Sequence, residues 1–329
     1  MFRSGIGSNI HISAAIMALA LDSGRIYTWP EDDIHNPWTL AADKKSPVDC
    51  PGGRQTRSYE CYFKPLTHCK PPKGSTRFTG TKKEKGGKGD IRGVDMVPSM
   101  FKPLLKCSRY PKDYWRKWWR AQVAAFLVRL NPGTRKELDA FRKAVLVGGT
   151  LPGTIGTHVR HGDKYYEAPE YPYEDYQHVF EWLGGAKLAE MRKRCPSAAK
   201  HLEPFQRFTP VLAQRRLYLG TDDPAVTEEA LKQSGSWAIA YMNVTRMSKR
   251  MPLMRLQARL GAKQAVLESL LNLELLMESD AFVGTWSSNW CRLVDEMRMT
   301  AAMKANHPSL EIKKHCPSYN WVHGQGRET

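Results

Sequence analysis

Regular alternation of strands and helices in the second half of the chain is the feature that most limits its fold. Short apolar runs typical of strands occur at residues 154–160, 215–221, 237–242 and 281–285. Helical periodicity follows each of them, at residues 173–183, 224–233, 257–278 and 287–303. Strands that alternate with helices of about ten residues or more predict a parallel sheet covered on both faces. We therefore predict an α/β fold.

The first half of the chain has weaker patterns. Residues 9–21, 114–130 and 135–145 predict helices, and residues 24–29 predict a strand. Gly5 and Gly7 form a turn before the first helix, so loop, helix and strand make up half of a βαβ unit. We expect the first strand of that unit to be missing. The tryptophans of the second helix are predicted to pack in the core rather than to stack on nucleic-acid bases; they are Trp115, Trp118 and Trp119.

The length of 329 residues suits about two domains. We place an N-terminal α/β domain at residues 1–150, a second Rossmann-type domain at residues 151–304, and a C-terminal tail at residues 305–329. Residues 70–93 are rich in glycine and lysine with almost no apolar side chains, which predicts a flexible surface loop.

A basic charge balance narrows the possible partners. The chain has 50 Lys and Arg against 33 Asp and Glu, a formal net charge of +17. Such an excess suits nucleic acid, an anionic membrane surface or a phosphorylated substrate. Part of the charge lies in the loop at residues 70–93, so a solvated loop explains it better than nucleic-acid binding. No run of 18 or more apolar residues is present, so we expect no transmembrane helix.

Seven cysteines are present, and none of them forms a C-x-x-C pair, which argues against a zinc site. Four lie in the first third of the chain, namely Cys50, Cys61, Cys69 and Cys107. They fit structural disulfides in an oxidising compartment, although free thiols remain an alternative. The odd number leaves at least one cysteine unpaired.

Polar clusters follow three of the predicted strands: "HVRHGDK", "LGTDDP" and "GTWSSN". Ligands of parallel α/β sheets bind beyond the carboxyl ends of the strands, so these clusters predict a ligand cleft. The planar fork of Arg160 suits a phosphate, and the alternative is a structural pair with Asp163. His158 lies two residues earlier and points to the same face of a regular strand; the alternative is a core histidine.

The loop after the first of these strands adds candidates for acid–base chemistry. Glu167 lies beside cations and can act as general base for an attacking hydroxyl, or it is an exposed loop carboxylate. Glu170, Glu174 and Asp175 are nearby competitors, and the last two belong to the predicted helix start. Lys164 is either a second phosphate contact or a surface charge. We expect the diphosphate of a ligand to lie near these residues.

The other two clusters have structural alternatives. Asp222 and Asp223 can hold a divalent cation, but an aspartate before Pro224 is better explained as a helix cap. Ser287 and Ser288 open a helix whose backbone N–H groups can bind an anion, and the alternative is a simple serine cap. We therefore expect no metal ligands in these motifs.

The segments "GTHVRHGDK", "YLGTDDP" and "SDAFVGTWSSNWCRLVDEM" resemble, in that order, three motifs of the α1,6-fucosyltransferases and their bacterial nodulation relatives. "GIGSNIHISAAIMALAL" resembles the start of their N-terminal domain. The resemblance implies a GT-B-like fold, with two facing Rossmann-type domains and a cleft between them. It also implies inverting, metal-independent transfer of L-fucose from GDP-fucose to a sugar hydroxyl, with no further cofactor.

The resemblance also assigns roles to residues. Arg160 corresponds to the arginine that holds the diphosphate, His158 to a nucleotide contact and Ser288 to a phosphate contact, with Ser287 and Asn289 in the same loop. Glu167 is the best match for the base when the later "PYEDY" run is aligned with the similar run of the family, with one residue deleted between Lys164 and Glu167. From its charge, we expect Lys164 either to assist at the diphosphate or to orient the acceptor.

Three positions depart from the family pattern. His161 replaces a second arginine, as in the bacterial relatives, and we still expect it at the nucleotide. Asn272 replaces an aspartate that recognises guanine, and an amide recognises that base edge less strongly. Gly284 replaces a cysteine, which leaves Cys291 without its local disulfide partner.

The expected partners are a nucleotide-sugar donor and a glycan acceptor such as an N-glycan, without nucleic acid. The resemblance places the protein in the Golgi lumen, and a membrane anchor is not found in this chain. Three alternatives stay open: the same fold with another donor or a protein acceptor, a catalytically inactive nucleotide- or carbohydrate-binding protein, and a nucleic-acid binder.

Overall fold

The computed structural model describes residues 5–28, 50–53, 59–69, 97–108, 111–161, 169–186, 188–196, 203–233, 235–244, 262–312, 316 and 318–319. The predicted base Glu167, the predicted diphosphate contact Lys164 and the acid Asp163 lie outside these residues. The predicted surface loop at residues 70–93 lies outside them as well.

A mixed sheet of seven strands forms the centre of the described part of the chain, in the order β1-β4-β3-β2-β5-β6-β7. Strands β2 to β6 pair in parallel, and the two edge strands pair antiparallel. The predicted α/β class is thereby confirmed. The strands are β1 Leu146–Val147, β2 Thr154–Val159, β3 Arg216–Thr221, β4 Ala238–Met242, β5 Ala281–Gly284, β6 Ser309–Glu311 and β7 Ser318–Tyr319.

The order of the parallel strands reverses at β2. The chain passes from β2 to β3 and β4 on one side of the sheet, and β5 and β6 continue on the other side. All six residues of β2 are buried, as expected for a central strand that is covered on both faces. The reversal places the loops after β2 and β5 on the two sides of one crevice.

Ten α-helices are described around the sheet. They are α1 Ile6–Asp22, α2 Lys102–Cys107, α3 Lys112–Leu127, α4 Pro132–Val145, α5 Tyr173–Leu183, α6 Leu188–Arg194, α7 Thr209–Leu212, α8 Pro224–Lys232, α9 Ala262–Glu278 and α10 Asn289–Met299. Helix α4 shows why these ends are sharp. The Asn131 side chain accepts a hydrogen bond from the backbone N–H of Thr134 at 2.8 Å, and Pro132 occupies the first helical position.

The helices lie in two layers on the two faces of the sheet. Helices α1, α3, α4, α9 and α10 contribute to one apolar core, and α5, α6 and α8 contribute to the other. Helices from before residue 150 therefore share a core with helices from after residue 261. Division of the chain into two domains at residue 150 stays a prediction.

Most predicted elements are present, with differences at weak signals. Trp119 is buried, and Trp115 and Trp118 pack against the same core, as predicted. Residues 24–28 form no strand, so that prediction is wrong for the described part. Helix α10 ends at Met299, earlier than predicted. Strands β1, β6 and β7 have two or three residues each. Such segments are too short for the alternation of apolar and polar residues that identifies a strand in sequence.

Two disulfides link Cys50 to Cys61 and Cys195 to Cys316. Three cysteines are free, namely Cys69, Cys107 and Cys291. The prediction that at least one cysteine is unpaired is confirmed, and only one of the two bridges lies within the first third of the chain. None of the helices in the described ranges is long and apolar enough to cross a membrane.

Candidate active site

The crevice of the sheet opens between the carboxyl ends of β2 and β5. Thr157 of β2 lies opposite Val283 of β5, and its hydroxyl donates a hydrogen bond to the Val283 carbonyl at 2.9 Å. The loop after β2 begins with Arg160, and the loop after β5 leads to α10. Both loops carry residues that the sequence predicts for a nucleotide-sugar site.

A buried tyrosine joins the two loops. Tyr176 of α5 hydrogen-bonds the side chain of Thr285 and the backbone of Arg160. Burial raises the pKa of the Tyr176 hydroxyl well above its ordinary value, and these two hydrogen bonds only partly oppose that effect. The neutral phenol therefore fixes the two sides of the crevice relative to each other.

Arg160 lies at the rim of the crevice. Its Nη1 forms an ion pair with Oδ2 of Asp222, at the end of β3, and the two side chains are 25% and 29% exposed. The other oxygen of Asp222 accepts the backbone N–H of His161 at 3.0 Å. The pair aligns the guanidinium at the strand end while part of it stays open to solvent. Asp222 thus orients Arg160, a role that its predicted use in a helix cap did not include.

His161 is built into the fold. Its side chain is 8% exposed; Nδ1 lies 3.0 Å from Oδ2 of Asp223, and Nε2 lies 2.9 Å from the carbonyl of Tyr171. Both ring nitrogens are engaged within the protein, so a nucleotide could bond to either only by displacing a partner. The geometry gives His161 a bracing role in the loop, and the nucleotide contact that the sequence predicts for it stays a prediction.

Asp223 caps helix α8. Its Oδ1 accepts the backbone N–H of Ala225 at 3.0 Å, and Pro224 is the first helical residue. The sequence prediction of a cap before Pro224 is confirmed for Asp223. In the part of the chain that the structure describes, no three His, Cys, Asp or Glu side chains come together as a metal site.

A polar cluster lies behind Arg160 and includes two residues predicted to contact the nucleotide. His158, at the end of β2, lies opposite Gly220 of β3 in the register of the sheet. A Cβ atom at Gly220 would be 2.4 Å from Nδ2 of Asn272 and 3.3 Å from Nδ1 of His158. The absence of a side chain at Gly220 is what lets His158 and Asn272 approach each other.

Asn272 uses both ends of its amide within this cluster. Its Nδ2 donates to the hydroxyl of Tyr218 at 3.1 Å, and its Oδ1 accepts from Nε1 of Trp290 at 3.0 Å. The rings of Trp290 and His158 lie 6.3 Å apart. These two bonds use one N–H and one oxygen lone pair of the amide. A second N–H and a second lone pair remain for other partners. The cluster is therefore held together by hydrogen bonds and ring contacts within the protein.

The amino end of α10 faces the crevice from the β5 side. Ser288 is buried at the N-cap position and makes no capping hydrogen bond with its side chain, while Ser287 is exposed in the preceding turn. The first N–H groups of a helix have no partner within the helix and carry its positive dipole end. This end can therefore hold an anion, as the sequence predicts.

Cys291 is the third residue of α10 and is buried. Burial raises the pKa of its thiol, against opposing hydrogen bonds from Thr285 and Ser288. A Cβ atom at Gly284 would lie 3.0 Å from the Cys291 sulfur. The structure thus sets side by side the two positions that the resemblance links by a disulfide.

Asn289 has a structural role that the sequence did not indicate. Its Oδ1 lies 3.0 Å from Nδ1 of His11, and its Nδ2 donates to the hydroxyl of Ser8 at 2.6 Å. Helix α1 approaches so closely that a Cβ atom at Gly7 would be 2.7 Å from the Asn289 carbonyl oxygen. Helix α1 begins at Ile6, so Gly7 serves helix packing and not the turn that the sequence predicts.

Three contributors to the site were missed by sequence reasoning: Tyr176, Trp290 and Asp222 in its role as partner of Arg160. Tyr176 and Trp290 lie on helices whose apolar faces predict core packing, and nothing in that pattern distinguishes a tyrosine that bridges two loops. Asp222 carried a usable signal, since it follows the next predicted strand along the chain after the one that precedes Arg160.

The sequence profile of the α-(1,6)-fucosyltransferase N- and catalytic domains matches residues 98–311, well over half of the chain. The chain belongs to the α-(1,6)-fucosyltransferase family. The matched range includes the loops after β2, β3 and β5, so the fucosyltransferase motifs are the segments that form the crevice described above. Membership also supports the GT-B-like architecture expected from the sequence.

Solved structures of POFUT1 show a weaker likeness. The apo form, the complex with GDP-fucose and the complex with GDP are 15%, 15% and 14% identical to this fucosyltransferase-family chain, with TM-scores of 0.28, 0.30 and 0.29. They cover 58%, 67% and 67% of this chain. The chain in turn spans 48%, 60% and 61% of the POFUT1 chains, less than two thirds of their length. TM-scores this low do not establish a shared fold.

Proposed function

We propose that this fucosyltransferase-family protein transfers L-fucose from GDP-fucose to a sugar hydroxyl, with inversion and without a metal ion. One observation carries the proposal. Arg160 and the amino end of α10 lie on the two sides of the crevice at which the strand order reverses, and Tyr176 holds both sides in place. A parallel sheet binds nucleotides at such a crevice.

The donor diphosphate lies between these two positive groups in the proposal. Arg160 offers a fork of N–H donors to two phosphate oxygens, and the exposed part of its side chain makes it accessible. Ser287, Ser288 and the free N–H groups at the start of α10 approach from the other side. Negative charge builds up on the departing diphosphate, so donors fixed in advance stabilise the transition state.

The transfer itself is a single displacement. Glu167 takes the proton of the acceptor hydroxyl while its oxygen forms a bond to the anomeric carbon. The bond from that carbon to the diphosphate breaks at the same time, and GDP leaves with the electron pair. Lys164 follows Arg160 in the same loop and assists at the departing diphosphate. The role of Glu167 comes from the motif resemblance, and the role of Lys164 is inferred from its positive charge four residues after Arg160.

The nucleobase is assigned to the polar cluster behind Arg160. His158 and Asn272 are held within contact range of Gly220, and the amide of Asn272 keeps one N–H and one lone pair for a base edge. An amide reads guanine less strongly than a carboxylate does, so the proposal includes weaker selection for guanine than an aspartate would give.

Metal independence is supported by the use of the nearby carboxylates. Asp222 pairs with Arg160, and Asp223 caps α8 while it bonds His161. Both acids are thus engaged with protein groups, and fixed cations are available to neutralise the diphosphate. A Golgi placement with an N-glycan acceptor follows from the resemblance alone, and the two disulfides fit an oxidising compartment.

The proposal is tested by a transfer assay in EDTA. Purified protein is incubated with GDP-fucose and a panel of N-glycan and chitin-type oligosaccharides. We expect transfer to at least one oligosaccharide, and transfer at least about a hundredfold slower with the Arg160→Ala variant. Transfer from another sugar nucleotide instead would favour the same fold with a different donor. Tight GDP binding without transfer to any sugar or protein hydroxyl would favour a catalytically inactive binding protein.

A further inference from the structure

A second polar cavity lies beside the candidate active site, between α3 and the first turns of α10. It has a volume of about 180 Å³ and is lined by Arg116, Lys117, Arg120, Trp286, Arg292, Asp295 and Glu296. Four of these side chains are cationic and two are carboxylates. The cavity therefore has a formal charge of two positive units.

The two carboxylates are already neutralised by neighbours. Asp295 pairs with Lys117 at 2.6 Å and accepts the hydroxyl of Ser309 at 2.6 Å. Glu296 pairs with Arg120 and with Nε2 of His11. The two acids thus offset the charges of Lys117 and Arg120. The net positive charge of the lining comes from Arg116 and Arg292.

Three buried donors of the lining residues have no acceptor among the described residues. They are Nε of Arg120, Nε of Arg292 and Nε1 of Trp286. Each of these atoms is enclosed by the protein, so an anion in the cavity would act on the two guanidinium groups through its charge rather than by a direct hydrogen bond. Burial lowers the pKa of Arg292, and the charge of Arg120 lowers it further, so an anion in the cavity would relieve this repulsion.

The cavity and the donor site share one loop but lie on different sides of α10. Trp286 belongs to the loop that carries Ser288, whereas Trp290 points to Asn272 on the other side of the helix. The cavity is smaller than the roughly 300–1,000 Å³ of a site for a whole drug-sized molecule. Its size and donors suit a single charged substituent.

We propose that this cavity is an oxyanion site that holds a carboxylate or sulfate group carried by the acceptor oligosaccharide. An oxyanion carries the negative charge that this lining lacks, and its oxygens can accept from the guanidinium fork of Arg116, whose side chain is exposed. Assignment of the anion to the acceptor rests on the proposed function, whereas binding of an oxyanion at the cavity does not.

Two measurements test the proposal separately. The first is calorimetric titration of the protein with sodium sulfate and with a carboxylated or sulfated oligosaccharide, beside its neutral analogue. The second is the transfer rate with the same two oligosaccharides. The variants are Arg116→Gln, which removes one cation, and Arg116→Lys, which keeps the charge but removes the planar fork; Lys112→Gln, at the exposed start of α3, is the charge-matched control.

We expect Arg116→Gln to raise the KM for the charged oligosaccharide at least about fivefold and Arg116→Lys to raise it less, with little change for the neutral one or in GDP affinity. Lys112→Gln should change neither. Sulfate binding that the two variants weaken would support the oxyanion site even if no transfer were found. Equal losses of GDP affinity would overturn the proposal and assign the cavity to the donor diphosphate, and no preference for charged ligands would overturn it as well.

Discussion

Arg160 at the end of β2 forms an ion pair with Asp222 at the end of β3, and both side chains remain about a quarter exposed. The pair holds the guanidinium at the crevice in the position that the proposed function requires. Its two members should therefore differ in how their loss affects donor binding and stability.

Arg160→Ala removes the main cation proposed to face the diphosphate. We expect activity to fall at least about a hundredfold, equivalent to roughly 2.7 kcal/mol. Arg160→Lys should restore little, because an ammonium group does not reproduce the planar fork. Asp222→Asn, the matched variant, keeps the arginine and should reduce activity less. Normal turnover in folded Arg160→Ala protein would contradict the assigned role.

Tyr176→Phe tests the link between the two loops. The variant keeps the buried ring but removes the hydroxyl that bonds Thr285 and Arg160. We expect about 1–2 kcal/mol lower stability and roughly fivefold weaker GDP binding, measured by chemical denaturation and calorimetry. Tyr173→Phe changes a buried tyrosine one turn earlier on α5 and serves as the control. Equal effects of both variants on GDP affinity would mean that the bridge does not order the crevice.

Glu167→Gln tests the base. Shape and hydrogen bonding are largely kept and basicity is lost, so we expect near-normal donor binding and transfer at least about a hundredfold slower. Single-turnover kinetics separate the two effects. If Glu170→Gln has this phenotype instead, the position of the one-residue deletion after Lys164 is wrong, and if neither variant slows transfer, the base lies elsewhere.

Gly284→Cys should form a disulfide with Cys291. A Cβ atom at Gly284 lies 3.0 Å from the Cys291 sulfur, and a modest backbone shift would relieve the contact with Phe282 at 2.9 Å. A bridge that closes so short a loop adds about 2 kcal/mol of stability, less any strain. Mass-spectrometric mapping after alkylation of the unfolded protein detects the bridge, and Gly284→Ser controls for the added Cβ. Alkylation of Cys291 in the Gly284→Cys protein would refute the prediction.

Acid sensitivity should depend in part on Glu278 at the end of α9. Partial burial raises its pKa, but hydrogen bonds from Arg142 and Thr150 and the charges of Arg142 and Lys304 outweigh burial, so the pKa is lower than in the unfolded chain. This contribution to stability is fully present above about pH 4.5 and is lost as the pH falls through the folded value.

Denaturation midpoints measured from pH 6 to pH 3 should therefore fall less steeply for Glu278→Gln than for the unaltered protein. Asp139→Asn is the control, since Asp139 is a more exposed carboxylate that pairs with Arg135 on the same face of α4. A steeper acid dependence in Glu278→Gln would show that the sign of the shift is wrong.

The sequence was informative where a pattern repeats over a whole element. The strand that ends at Val159 and helix α5 were predictable because apolar residues recur along each of them with a regular period. The cap at Asp223 was predictable because capping depends on residues that are neighbours in sequence. The reversal of strand order between β2 and β5 depends on long-range pairing, and no local pattern encodes it.

The partners of individual site residues were mostly beyond reach of the sequence. His161 and Asn289 lie in the motifs, yet their side chains bond Asp223 and Ser8, which tertiary packing brings to them. The bond from Trp290 to Asn272 spans two helices and likewise depends on how α9 and α10 pack. Motif position therefore identified the crevice but not which motif residues remain available to a ligand.

The most direct test of the central claim is calorimetric titration of the protein with GDP, UDP and ADP in EDTA. The account predicts that GDP binds most tightly, that binding needs no added metal, and that Arg160→Ala weakens it about a hundredfold or more, equal to roughly 2.7 kcal/mol. Tighter binding of UDP than of GDP, or no nucleotide binding until magnesium or manganese is added, would contradict it.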